Sequence, residues 1–145
     1  MFSWFTKRRA QVRNAHNLYG SIVTKARAPA LYEELKVPDT LDMRFELLML
    51  HMFVFLRRLN RNEEQTGRLR QALVNRFFQD VETTSRQVGV GDLAVPKKMR
   101  KLATVYAERI EEYRQASEGS FEDLPTLLQG IFYAESQNAE DLSRR

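Results

Sequence analysis

The stretch that decides the fold is FELLMLHMFVFL, residues 45–56, which is apolar apart from Glu46 and His51. At about 100° per residue, positions 45, 48, 49, 52 and 56 share one face of a helix, and positions 47, 50, 53 and 54 point broadly the other way. The run is shorter than the about 20 residues that a membrane span needs. Either it is the central helix of a bundle, or one side is open to an apolar partner.

Apolar residues at spacings of three and four continue on both sides of this run and predict further helices. Asp39 or Thr40 can cap the central helix, Gly89 suits a left-handed turn, and Ser120 with Asp123 resembles a capping box. No segment alternates with period two. The pattern predicts an all-α, single-domain bundle of about five or six helices. We expect the helices at about residues 6–27, 41–60, 68–88, 96–116 and from 124 on, with a helical turn at 30–35, a loop or a frayed helix end at 62–67 and a frayed tail at 137–145.

Composition excludes several kinds of functional site and indicates the kind of partner. The chain has 145 residues, a formal net charge of +4 and no cysteine, so disulfides, zinc-thiolate sites and iron–sulfur clusters are excluded. No acidic residue precedes Glu33, so the basic excess lies at the N-terminus and favours an acidic surface as partner, either phospholipid or nucleic acid. An acid-free start is also typical of a transit peptide, but helical spacing continues from it into the rest of the fold.

Side chains that could perform catalysis are scattered. His16 and His51 lie far apart without a metal-binding spacing, and we interpret His51 as a histidine that hydrogen-bonds within its helix. Asp39, Asp42 and Glu46 could share a helix face, but the first two are explained by the preference of helix N-termini for anions. The sequence contains no nucleophile, nucleotide-binding or calcium-binding motif. We therefore expect no catalytic residues, no metal and no cofactor, and a binding protein in place of an enzyme.

A cluster of cations at residues 97–101 has no explanation in folding. Lys97, Lys98, Arg100 and Lys101 lie in the opening turns of a helix, where the macrodipole disfavours positive charge. One interpretation is a solvated basic face that is tolerated at small cost. The other is a surface for an acidic partner, a lipid or an RNA phosphate.

Four segments resemble the ubiquinol-cytochrome c chaperone family: LYEEL at 31–35, VPDTLDMRF at 37–45, the apolar run at 47–59 with its histidine, and GVGDLAVPKKM at 89–99. The resemblance extends over about residues 18–113 and points to a bacterial member. It implies a chaperone that binds newly made cytochrome b and assists assembly of the cytochrome bc1 complex without catalytic turnover. It also implies contact with an anionic membrane surface, the ribosome or a second small assembly factor. The implied location is the cytoplasm, peripheral at the inner membrane, or the mitochondrial inner membrane or matrix in a eukaryote.

Two sets of residues are candidates for these contacts. The client-binding set combines the second face of the apolar helix with the loop and basic helix start that follow residue 88: Leu47, Leu50, Phe53, Val54, Val90, Asp92, Leu93, Pro96, Lys97, Lys98 and Lys101. The second set, within residues 1–17, would place aromatic and basic side chains on a membrane or RNA surface: Trp4, Phe5, Lys7, Arg8, Arg9 and Arg13. The alternative function is an RNA-binding or ribosome-associated module that uses the basic clusters.

Overall fold

The computed structural model describes residues 2–59, 63–120 and 122–143 of the chain. These residues contain no β-strand, which confirms the predicted all-α, single-domain bundle. They form six helices: α1 (Phe2–Ala26), α2 (Pro29–Glu33), α3 (Leu41–Leu59), α4 (Glu63–Gln87), α5 (Val95–Glu118) and α6 (Asp123–Ser143).

Three helix boundaries differ from the prediction. Helix α1 begins at Phe2 instead of about residue 6, and α4 begins at Glu63, inside the stretch predicted as a loop. Helix α6 continues to Ser143, through most of the stretch predicted to be frayed. Residues 63–65 are Glu, Glu and Gln, and the tail contains Gln137, Ala139 and Glu140, all of which are good helix formers, while the single Gly67 costs only about 1 kcal/mol. Polarity alone therefore does not end a helix.

Helix α3 lies at the centre of the bundle, in contact with α1, α4 and α5. One of its faces joins the main core, in which α4 contributes the fully buried Leu73 and Phe77. Its other face packs Leu47 against Phe132 of α6 in a second, smaller cluster. The two apolar faces of residues 45–56 are thus explained by packing on both sides, and the central-helix interpretation is correct.

This packing corrects part of the predicted client-binding set. Leu47 is only 2% exposed because it packs under α6. Phe53 is 8% exposed, and the centroid of its ring lies 5.4 Å from that of Tyr113. Leu50 is half-buried, whereas Val54 is exposed. The expected outward side of α3 is therefore wrong at Leu47 and Phe53, because α5 and α6 fold over them.

The predicted capping and turn residues are found at the start of α3, the end of α4 and the start of α6. The hydroxyl of Thr40 accepts a hydrogen bond from the Met43 N–H, and the Asp123 carboxylate accepts bonds from the N–H and hydroxyl of Ser120. Gly89 has φ of 92°, the left-handed conformation expected after α4. The Val90 N–H then reaches the Ser85 carbonyl, so the chain turns sharply from α4 towards α5.

Buried tyrosines tie the helices together. The Tyr19 hydroxyl on α1 donates a 2.6 Å hydrogen bond to Asp80 on α4. Burial is the main cause that raises the pKa of Tyr19, Tyr106 and Tyr113 above the ordinary value of 10.0. The folded chain therefore holds phenolic protons that the unfolded chain releases near pH 10.

We expect the free energy of unfolding to be unaffected by these groups below pH 10 and to fall as the pH rises above it. The sign follows because the folded state binds more protons than the unfolded state in that range. Urea unfolding at a series of alkaline pH values measures the slope. Tyr113→Phe should make the slope shallower because it removes one of these phenols, and it should cost little stability because no described residue hydrogen-bonds to the buried Tyr113 hydroxyl. A free energy of unfolding that stays level above pH 10 would contradict this expectation.

Candidate functional site

A groove of about 680 Å³ lies between the start of α3, the end of α4 and the start of α5. We call it the lysine-edged groove. Its volume falls in the range of small-ligand sites, and most of its lining is apolar. The apolar lining comes from Leu41, Met43, Phe45, Met49, Val81, Val90, Ala94, Leu102 and Val105, and the polar edges from Asp42, Glu46, Lys97, Lys98 and Lys101.

The α3 edge of the groove is acidic, but its charges are compensated. The Glu46 carboxylate accepts two hydrogen bonds from the guanidinium of Arg109 on α5, at 2.9 and 2.7 Å. Both side chains are largely buried, with 12% of Glu46 and 22% of Arg109 exposed. Asp42 lies in the first turn of α3, where the helix dipole favours an anion.

The α5 edge is basic and not compensated. No carboxylate of the described residues forms an ion pair with Lys97, Lys98 or Lys101, and the first turn of α5 contains no acidic residue. Ala94 at the N-cap supplies no side-chain hydrogen bond. Lys97 and Lys98 thus lie in the first turn of α5, where cations are disfavoured, and Lys101 lies one turn further along the same edge of the apolar groove.

Replacing Lys97, Lys98 and Lys101 together by glutamine should raise the free energy of unfolding by about 1 kcal/mol at low salt. The reason is the removal of three mutually repelling charges, of which Lys97 and Lys98 are each disfavoured by some tenths of a kcal/mol in the first turn of α5. Denaturant unfolding measures the change. Lys25→Gln is a matched control that should lower the free energy of unfolding instead, because Lys25 lies in the last turn of α1, where a cation is favourable. A loss of stability in the triple variant would contradict the expectation.

The loop between α4 and α5 presents apolar side chains next to the groove. Leu93 is 99% exposed and Val88 is 55% exposed. Asp92 pairs with Arg86 of α4 at 2.7 Å, which holds the loop against the end of that helix. Pro96 is exposed in the first turn of α5. Exposed leucine and valine beside an apolar groove are typical of an interaction surface.

Part of the predicted client-binding set therefore lies together at one groove, and another part lies elsewhere on the protein. Val90, Lys97, Lys98 and Lys101 line the lysine-edged groove. Val54 instead borders a separate depression with Arg57, Arg58 and Leu124. Leu41 and Val54 are 13 positions apart on one helix, which corresponds to about 20 Å along its axis.

Several groove residues were missed by sequence reasoning. Leu41, Phe45 and Met49 follow one another at a spacing of four along α3, and Leu102 and Val105 face them from α5. The spacing of four on α3 was a usable signal, since it continues the core stripe out to the exposed first turn. Their meeting with the lysines depends on tertiary packing.

The N-terminal candidate set is described only in part. The backbone of α1 is helical from Phe2, and Arg9 and Arg13 are exposed. The side chains of Trp4, Phe5, Lys7 and Arg8 lie outside the described residues. The membrane or RNA role of this segment stays a prediction.

The remaining polar candidates have structural partners. His51 Nδ1 lies 2.7 Å from the Leu47 carbonyl, one turn earlier in α3, as the within-helix interpretation predicts. Asp39 accepts two hydrogen bonds from Arg44, which are the main cause that lowers the pKa of its carboxyl group. In the described part of the chain no three His, Asp or Glu side chains are close enough to hold a metal ion.

An all-α bundle that has an apolar groove with one basic edge is typical of a helical binding protein. Residues 33–144 match the family described as ubiquinol-cytochrome C chaperone, and this match covers most of the chain. The protein belongs to the ubiquinol-cytochrome c chaperone family, whose members act in the assembly of the bc1 complex.

A solved structure supports the same assignment. The chain is similar to the crystal structure of the Cbp3 homolog from Brucella abortus, with 30% sequence identity and a TM-score of 0.78. The match covers 93% of this chain and 76% of that one. The comparison with curated proteins gave no match. Across residues 2–59, 63–120 and 122–143, none of the helices has both the length and the hydropathy needed to cross a membrane.

Proposed function

We propose that the protein binds newly made cytochrome b in the lysine-edged groove and assists its assembly into the bc1 complex without catalytic turnover. Family membership supports the chaperone role. The observation that carries the proposed site is an apolar groove whose lining includes the exposed Leu41 of α3 and Val90 and Ala94 of the loop that carries the exposed Leu93. Such a surface suits the apolar segments of a membrane protein that has not yet reached its final packing.

The size of the groove limits what it can hold. A helix with its side chains is about 10–12 Å wide and rises 5.4 Å per turn, so one turn occupies roughly 500 Å³. A groove of about 680 Å³ therefore holds little more than one turn of a client segment and not a complete span. This fits transient binding, in which a chaperone covers the most exposed part of a segment and later releases it.

Location follows from the client. A protein that meets cytochrome b during synthesis works at the inner membrane, and the basic α1 is the element suited to approach anionic lipid. Arg9 and Arg13 are exposed and available for such contact. We propose a peripheral position on the cytoplasmic side in a bacterium, with ribosome contact or a second small assembly factor as further partners.

Leu41→Asp should reduce the amount of newly made cytochrome b that co-purifies with the protein several-fold. The substitution places a charge on the groove wall, yet an acidic residue is well tolerated in the first turn of α3. Folding should therefore be preserved, which circular dichroism checks. The measurement is pulse labelling of the cells, followed by purification of the tagged protein and quantification of labelled cytochrome b.

Leu35→Asp is the matched control, because Leu35 is 57% exposed and does not line the groove. It should leave the recovery of cytochrome b unchanged. Equal recovery of cytochrome b with both variants would mean that the groove is not the client site. Recovery of ribosomes in a salt-dependent manner, without cytochrome b, would favour the RNA-binding alternative.

A further inference from the structure

The two edges of the lysine-edged groove carry opposite charges. Within the described residues, the negative charges on α3 are compensated and the positive charges on α5 are not. On α3, Glu46 is neutralised by Arg109 and Asp42 is stabilised by the helix dipole. On α5, the three lysines have no ion pair with the described residues, and Lys97 and Lys98 oppose the dipole of their own helix. The groove therefore has a surplus of positive charge on one side only.

From this asymmetry we propose that the groove selects apolar segments that carry a carboxylate at one end, and that Lys97, Lys98 and Lys101 bind this carboxylate. The inference rests on the proposed function of the groove as the client site. The apolar floor binds the body of the segment, and the lysines fix its direction. Lysine suits this task because its flexible stem can follow carboxylates at slightly different positions.

The opposite edge argues against a flat polyanion as the occupant. A membrane surface or a nucleic acid that covers the groove would bring negative charge onto exposed Asp42 as well as onto the lysines. A single peptide segment can place its carboxylate on the α5 side and keep apolar side chains against α3. Charge complementarity thus favours an acidic apolar segment.

Synthetic helical peptides test the proposal. Three peptides share one apolar stripe and carry an Asp pair, an Asn pair or a Lys pair at the same end. Fluorescence anisotropy with the full chain should give about tenfold tighter binding for the Asp peptide than for the Asn peptide, from several weak ion pairs acting together. The Lys peptide should bind more weakly than either. The advantage of the Asp peptide should shrink between about 0.05 and 0.5 M salt.

Variants of the protein assign the effect to the lysines. Lys97→Gln/Lys98→Gln/Lys101→Gln should lower the affinity for the Asp peptide to that for the Asn peptide and leave the Asn peptide unaffected. The matched control, Lys25→Gln/Arg58→Gln/Arg100→Gln, removes three exposed cations that do not line the groove and should keep the full difference.

The outcomes separate the two proposals. Equal binding of the Asp and Asn peptides, abolished for both by Leu41→Asp, overturns the carboxylate selection and keeps the groove as the client site. Failure of all three peptides to bind overturns the groove as the client site, and the selection with it. A third outcome is that anionic phospholipid vesicles displace the Asp peptide from the unmodified protein but not from the triple groove variant. This result would overturn the proposal that the lysines bind a peptide carboxylate and would favour a membrane surface as their partner.

Discussion

Replacing Phe77 by alanine should lower the free energy of unfolding by about 3–5 kcal/mol, a large part of the stability of a small domain. Phe77 is completely buried in the main core, and its ring lies 5.2 Å from that of Tyr106 on α5. Truncation removes apolar contact and leaves a cavity between α4 and α5 that rigid helices cannot fill. Denaturant unfolding followed by circular dichroism measures the loss.

The neighbouring Phe78 provides the control. It packs against the same core but is only partly buried, so Phe78→Ala should cost clearly less. Equal losses at the two positions would mean that Phe77 does not contribute more to the main core than the partly buried Phe78.

Replacing Arg109 by alanine should destabilise the fold by about 2–3 kcal/mol, because it leaves the Glu46 carboxylate largely buried without its partner. The range is below that of a fully buried pair, since both side chains keep some contact with water. Glu46→Leu combined with Arg109→Met should recover most of the loss, because an apolar pair has no desolvation cost. A double-mutant cycle from denaturant unfolding measures the coupling.

An exposed ion pair on the same helix is the comparison. Arg114 bonds to Glu111 and Glu118 with about half of each side chain exposed, so Arg114→Ala should cost much less than Arg109→Ala. If Arg109→Ala and Arg114→Ala cost the same, the Glu46 pair does not lock α5 onto α3. In that case the shape of the groove wall cannot depend on it.

Local features of the fold were predictable because they depend on neighbouring residues. Helical spacing placed α3 and α5, the left-handed conformation of Gly89 followed from its place after α4, and Thr40 capped α3 as expected. The start of α4 was not predicted, since the polar residues there form a helix as readily as a loop.

Features that depend on distant residues could not be predicted in the same way. Glu46 and Arg109 are 63 positions apart, and no spacing rule joins them. The burial of Leu47 required knowledge of where α6 packs, because a helix that is apolar all round gives no preferred outer side. The lysine cluster was recognised from its conflict with the helix dipole. The apolar groove beside it could not be recognised, because it forms only where α3 packs against α5.

The corrected site is smaller than the predicted one and more coherent. The end of α3 near Val54 is separate from the groove, and the residues that remain lie around one apolar surface with one basic edge. The resemblance supplied the client, and the structure supplies a specific groove on which that proposal can be tested.

Photocrosslinking in living cells tests the central claim most directly. A photoreactive residue is introduced at Val90, at Leu93 or, as a control, at Leu35, which is exposed outside the groove. We expect adducts with newly made cytochrome b from positions 90 and 93 and none from position 35. Adducts of equal yield from all three positions, or with unrelated membrane proteins to the same extent, would contradict a specific cytochrome b site in the lysine-edged groove.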